Sequence, residues 1–309
     1  MSSINYASAV WVPGGVNDVK RIESLQYQMA RAILKAPRNT PLECLLGDLG
    51  WQPISIVQNN LRMKYLDRIR KLPDTRWPNL MFNVMHSLYV IKCKSNSNNL
   101  RWKWFVHIDH TLGECGMGHL LSHNRNRNWI NEFVKISIDN ANKRWLDSAK
   151  CKSSLRDYIL IKRKPSLENY LLCKQDFYGA AMKFKARSNT LPLNSRVHKW
   201  KPNVNINCPL CNNGIDDLRH FLFLCSSLNH IRTEEFLKLE DRLLRLNLEP
   251  FWSLFISGNL TVKVCLMLGL SDDILSVNDN YPLLSTFDVF CKSYLKRAWT
   301  ARTSCINSV

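Results

Sequence analysis

Glycine and proline are scarce, 11 and 12 of 309 residues. A many-turned all-β fold consumes both in its reversals, so it is disfavoured. Long hydrophobic runs are missing too: nothing approaches the roughly 20 apolar residues of a membrane-crossing helix. Met1 to Ala9 is polar and has no secretory pattern. The expectation is an intracellular chain, in nucleus or cytoplasm, with no membrane partner. Acidic side chains are few, 25 Asp and Glu against 43 Lys and Arg, for a net charge of +18. A field of that sign draws polyanions, nucleic acids foremost.

The cysteine count is 11, an odd number. In a reducing compartment these thiols stay free as metal ligands or as small apolar core residues. Cys44, Cys265 and Cys291 stand among apolar neighbours and read as core. Hydrophobic residues make up 45% of the chain, enough for a sizeable core.

Helical periodicity runs through most of the sequence. Ile22, Leu25, Met29 and Ile33 recur at three- and four-residue intervals and predict one buried face, capped by Asn17 or Asp18 and ended by Pro37. Thr40-Pro41-Leu42-Glu43 has the form of a capping box and predicts a short helix closing near Gly47 to Gly50. A third helix would bury Ile54, Val57, Leu61, Tyr65, Ile69 and Leu72, display Arg62, Lys64, Arg68 and Lys71, and stop at Pro73. Residues 92–99 read as a polar loop. Trp102, Trp104, Trp129 and Trp145 punctuate a basic helical stretch that reaches Lys150. Lys162-Arg163-Lys164-Pro165 reads as a linker, after which Ser166 would cap a helix through Tyr170, Phe177, Ala181 and Phe184. Thr233 would open a helix with Phe236, Leu239, Leu243 and Leu246 inward. A last helical pair ends in a basic tail containing Lys292, Lys296, Arg297 and Arg302. The fold class is mainly α, in segments 1–76, 77–165, 166–250 and 251–309.

One run carries a chemical signature. Cys208-Pro209-Leu210-Cys211, then His220 and Cys225, has the spacing C-x2-C-x8-H-x4-C. Two residues between the first cysteines let both sulfurs face one ion, and Asp216 could cap the turn presenting His220. Three thiolates and one imidazole complete a tetrahedral zinc set with no position open to water or substrate, which defines a structural cofactor. A second set, His107, His110, Cys115, His119 and His123, has no short Cys pair to anchor it and reads as solvated or core histidines. The cations Lys183, Lys185, Arg187, Arg196, Lys199 and Lys201 surround Phe184 and Trp200. Lys183, Lys185, Arg187, Arg196 and Lys199 are the candidate phosphate contacts, with Trp200 able to stack a base. The alternative is that both aromatics pack inside and the charges are a solvated face.

The segment from Lys183 to Trp200, the CPLC run, Leu218-Arg219-His220-Phe221-Leu222-Phe223-Leu224-Cys225 and Arg232 resemble the zinc-binding C-terminal region of non-LTR (LINE-type) retrotransposon reverse transcriptases. Upstream, Tyr6 to Trp11, Ile22 to Gln26, Arg31 to Pro37 and Leu45 to Pro53 resemble the thumb segment that follows the polymerase palm in the same family. The resemblance implies a thumb-like helical bundle, then a helical region with a small zinc-stapled module. It implies template RNA or target DNA as partner, together with the catalytic part of a reverse transcriptase. Polymerase carboxylates that hold two metal ions are not recognisable. The Asp pairs are Asp216-Asp217, inside the metal run, and Asp272-Asp273, which reads as a cap or turn. The chain is therefore expected to lack polymerase and nuclease activity. The competing expectation is a zinc-stabilised protein-interaction scaffold that does not touch nucleic acid.

Overall fold

A computed structural model describes residues 5, 7–12, 16–93, 103–121, 129–172, 176–269 and 281–307. Among these the architecture is helical. No strand is present, and the one β feature is an isolated antiparallel bridge between Asn207 and Ile215. The helices are α1 (Val16–Leu34), α2 (Leu42–Leu49), α3 (Ile54–Arg70), α4 (Trp77–Cys93), α5 (Lys103–Glu114), α6 (Trp129–Lys150), α7 (Tyr158–Ile161), α8 (Phe177–Arg187), α9 (Asn194–Val197), α10 (Asn229–Arg245), α11 (Glu249–Ser257), α12 (Leu260–Leu268) and α13 (Tyr281–Asn307). None is long and apolar enough to cross a membrane.

The chain divides into two compact units, Met1–Tyr27 with Gln52–Arg144, and Gln28–Trp51 with Trp145–Val309. These boundaries differ from the four consecutive segments expected. Each unit joins stretches distant in sequence, because the partners of α2 lie more than a hundred residues downstream: Trp145 Nε1 donates to the Glu43 carbonyl at 2.9 Å.

The first unit buries Met63, Leu66 and Ile69 of α3 against Phe82 and Tyr89 of α4, Phe105, Ile108 and Leu112 of α5, and Phe133 of α6. Arg62 was expected to point outward but is buried. Its Nε donates to the Trp11 carbonyl at 3.1 Å and its Nη1 to Asn59 Oδ1 at 2.7 Å. Backbone and amide oxygens thus replace part of the water that the guanidinium gives up, while Nη2 is buried without a hydrogen-bond partner among the described residues.

The second unit has two apolar clusters. One joins Ala30, Leu34, Cys44, Leu45 and Leu49 to Trp145, Ala149, Tyr158, Tyr170 and Phe184. The other surrounds α13, with Phe287, Phe290, Cys291, Tyr294 and Leu295 packed on Leu239, Leu243, Phe255, Val264 and the metal-run residues Cys208, Phe221 and Cys225.

Several local expectations are corrected. In α1 the buried face is Gln26, Ala30 and Leu34, while Leu25, Met29 and Ile33 are exposed. The stripe was read one position out of phase because the larger side chains are the exposed ones. Thr40 makes no cap, and α2 begins after Pro41. Glu43 instead accepts from Ser148 Oγ at 2.6 Å and Lys152 Nζ at 2.6 Å, so tertiary partners outcompete the local box. Residues 162–165 are no linker: Lys162 is buried and bonds Ser166 and Glu168 within the second unit. Asp176, not Ser166, caps α8 by accepting from the Gly179 amide at 2.9 Å, and Phe177 is exposed. Helix α10 opens at Asn229 rather than Thr233, with Leu239 and Leu243 buried and Leu246 exposed. Cys44 and Cys291 are core, whereas Cys265 is half-buried. Of residues 92–99, the first two end α4 and the rest lie outside the described residues, as do Tyr6, Trp102, His123 and the Asp272-Asp273 pair.

Candidate metal centre

Cys208, Cys211, His220 and Cys225 converge, with their four donor atoms within 4.8 Å of one another. Cys208 Sγ lies 3.8 Å from Cys225 Sγ, and Cys211 Sγ lies 3.3 Å from His220 Nε2. An ion about 2.3 Å from each sulfur in tetrahedral geometry sets sulfurs roughly 3.8 Å apart. The cluster could therefore hold a metal ion.

Local backbone chemistry builds this convergence. The Asn212 amide donates to the Cys208 carbonyl at 2.9 Å, and the Cys208 amide to the Gly214 carbonyl at 3.0 Å. The loop reverses through Asn212 and Gly214, both at positive φ (52° and 84°). A Cβ on Gly214 would sit 3.3 Å from His220 Nδ1, so glycine answers both the backbone turn and the imidazole beside it. The Asn213 amide reaches the Cys211 sulfur at 3.4 Å.

His220 and Cys225 are five residues apart. In an α-helix they would point about 140° away from each other. Residues His220–Leu224 instead form one widened turn, closed by the Cys225 amide on the His220 carbonyl at 2.8 Å. That widening turns both ligands to one side. The carbonyls it frees are satisfied from neighbouring helices. Tyr294 Oη lies 3.0 and 2.9 Å from the Phe221 and Leu222 oxygens. Arg232 donates to the Leu222 and Cys225 carbonyls at 3.1 and 3.0 Å.

The cap on His220 is Asp217, whose Oδ1 accepts from the His220 amide at 2.8 Å. Asp216, expected in that role, instead accepts from the Asn194 amide at 2.7 Å and from Arg302 Nη2 at 2.6 Å. Both Asp216 and Arg302 are buried. Burial pushes the Asp216 carboxyl above its ordinary range despite these donors. By residue order Arg302 belongs to a basic tail. Only the fold brings it 86 residues back to Asp216.

Burial also pushes the Cys208 thiol up, and pushes Cys225 up to about 12 with the neighbouring Cys208 reinforcing it. At Cys211 burial works the same way, but hydrogen bonds from the Asn213 and Ser226 amides and from the Cys208 and Cys225 thiols together outweigh it and pull the thiol down. A cation is what would hold all three as thiolates. An ion held by all four protein donors would have no position left for a reacting molecule.

The second His/Cys set does not assemble among the described residues. His107 Nε2 bonds Asn59 Oδ1 at 2.8 Å, and burial followed by Arg62 pushes its pKa down to about 4. His110 is exposed.

Two of the candidate phosphate contacts are corrected. Lys183 is 1% exposed and pairs with Asp288 at 2.5 Å. Arg187 is 2% exposed and clamps Asp48. Helix α8 is buried on nearly every side, so Lys183 and Arg187 face carboxylates in the interior. Lys185 is half-buried, and burial with Lys35 nearby lowers its pKa. Arg196 is half-buried over the Trp200 ring at 5.7 Å, and Lys199 is exposed. Phe184 is fully buried while Trp200 is 51% exposed, so the two aromatics divide between the alternatives.

No protein-family model, no curated protein and no solved structure matches this chain.

Proposed function

We propose that this chain is the nucleic-acid-binding C-terminal portion of a LINE-type reverse transcriptase, positioning template RNA or target DNA beside a catalytic core that it does not itself contain. The metal is structural zinc, by the Cys3His donor set and its closed geometry. The observation that carries the reading is a cationic cleft walled on one side by the stapled run. Asp217, Leu218 and Arg219, which lead into His220, line it together with Arg156, Arg196 and Lys199. The net charge of +18 supports long-range attraction to phosphates. The test is fluorescence anisotropy of short labelled RNA and DNA strands with the zinc-loaded chain. Affinity should fall steeply between about 50 and 200 mM salt as counterion release weakens. A flat salt response overturns the reading. The chain alone should extend no primer on an RNA template.

A protein-interaction scaffold is favoured by a different observation. Helix α4 turns Trp77, Met81, Val84, Leu88 and Ile91 outward at alternating spacings of four and three, each at least 43% exposed. That is the spacing of a helix–helix seam, suited to a second copy of the chain. Dimers by light scattering that dissociate on Met81→Lys, with no nucleic-acid binding, would favour this reading.

A further inference from the structure

The cleft beside the metal run encloses about 360 Å³, within the range of small-ligand sites. Its walls come from three stretches of the second unit: the turn at Ser153–Leu155 with Arg156, helix α9 with Lys199, and Asp217 to Arg219. Two carboxylates enter it, and both are already engaged. Asp157 pairs with Arg219 at 2.8 Å, and Asp217 caps the His220 amide. Among the described residues no carboxylate pairs with Arg156, Arg196 or Lys199. Arg156 and Lys199 are exposed at the rim. Arg196 is half-buried, donates to the Asn189 carbonyl and lies against the Trp200 ring. Ser153, Ser154 and Ser195 line the same space.

Three cations without anionic partners, grouped in one concave polar site, leave a requirement for an anion. Arginine and lysine in such a group match phosphate oxygens in charge and donor geometry. The half-exposed indole of Trp200, held by Arg196, adds a flat apolar surface next to it, and a base stacks on such a surface whatever its identity. In a duplex the bases are stacked on one another and closed to an indole. A single strand offers both a phosphate and a free base face.

We infer that this cleft is a phosphate subsite for single-stranded nucleic acid, with one phosphodiester held by Arg156, Arg196 and Lys199 and the adjoining base laid on Trp200. This rests on the nucleic-acid reading above.

The test uses the full zinc-loaded chain with a labelled single strand and a blunt duplex of equal length. Arg156→Ala/Lys199→Ala removes two exposed, unpaired cations and leaves the interior untouched. Lys64→Ala/Arg68→Ala, on the exposed face of α3, makes the same charge change elsewhere. Zinc content and helical circular dichroism confirm that both variants fold. The cleft variant should bind the single strand about tenfold more weakly, with a salt slope reduced by one to two, while the α3 variant changes little. Trp200→Ala should weaken the single strand and spare the duplex, and Trp200→Phe should restore stacking. If the wild-type chain binds neither strand nor duplex, the nucleic-acid reading itself fails. If it binds and the cleft variant matches the α3 variant, only the subsite fails. Equal loss of single strand and duplex in Trp200→Ala overturns the stacking assignment.

Discussion

Asp48 and Arg187, 139 residues apart, meet in a two-pronged ion pair. Nε lies 2.8 Å from one carboxylate oxygen and Nη2 lies 2.9 Å from the other, and both side chains are fully buried. Tyr158 and Tyr170 donate to the same carboxylate at 2.8 and 2.6 Å. Arg187 Nη1 also donates to the Leu268 carbonyl at 2.6 Å. The pair ties the Gly47-Asp48 turn of helix α2 to helix α8. Removing one side leaves the other buried without its main charge partner. Arg187→Ala should therefore destabilise the second unit by about 3–5 kcal/mol, against less than about 0.5 kcal/mol for Lys199→Ala on the surface. Urea unfolding followed by circular dichroism measures both. A loss below about 1 kcal/mol for Arg187→Ala would show that the pair is incidental.

The same pair sets a pH dependence. Burial raises the Asp48 pKa, but the Arg187 guanidinium overrides it and holds the carboxyl below its ordinary value. A carboxyl whose folded pKa lies below its unfolded value of about 3.9 contributes stability above that value and loses it as the pH falls through the folded pKa. In Arg187→Ala the main attraction is gone, and Lys162 and the Tyr170 hydroxyl remain to oppose burial, so protonating Asp48 relieves the variant. The stability gap between wild type and Arg187→Ala should be widest near neutrality and narrow toward about pH 4. Urea midpoints at the two pH values decide it, and a constant gap would place the cost elsewhere.

How much of this was legible from residue order differs by level. The helical class was, since three- and four-residue periodicity and the scarcity of turn residues act locally. The convergence of four donors was, because Cys208, Cys211, His220 and Cys225 lie within 18 consecutive residues at a spacing that suits one shared ion. The fate of the basic residues was not. Lys183 and Lys199 are the same residue type in the same basic stretch, yet one is paired with Asp288 and the other is exposed. Their difference is set by carboxylates over a hundred residues away. The phase of α1 failed for a related reason. Ala30 is buried and Ile33 exposed because neighbouring elements, not side-chain size, choose the face.

The metal cluster is the next prediction. Cys225→Ser should abolish metal binding and melt the module around the His220 turn, because Cys225 lies within the α13 core cluster. Cys115→Ser, half-buried in the first unit, should leave the content at about one ion per chain. Elemental analysis after gel filtration measures both. Equal metal in the Cys225 variant and the wild type would mean that the four donors do not share an ion.

Tyr294 provides the sharpest test of how the site is held. Its hydroxyl is positioned to serve the Phe221 and Leu222 oxygens, the carbonyls left open by the widened turn that aligns His220 with Cys225. The ring is fully buried in the core, and Phe fills that volume without the hydroxyl. Tyr294→Phe should therefore keep the helices and the thermal transition near those of wild type while the turn loses a clamp. Partners outside the ligand set typically govern metal affinity by about 10- to 100-fold. We expect a loss of about tenfold, read by competition with a chromophoric chelator. A variant that binds metal as tightly as wild type would show that Asp217 and Arg232 suffice to hold the turn, and that Tyr294 only packs.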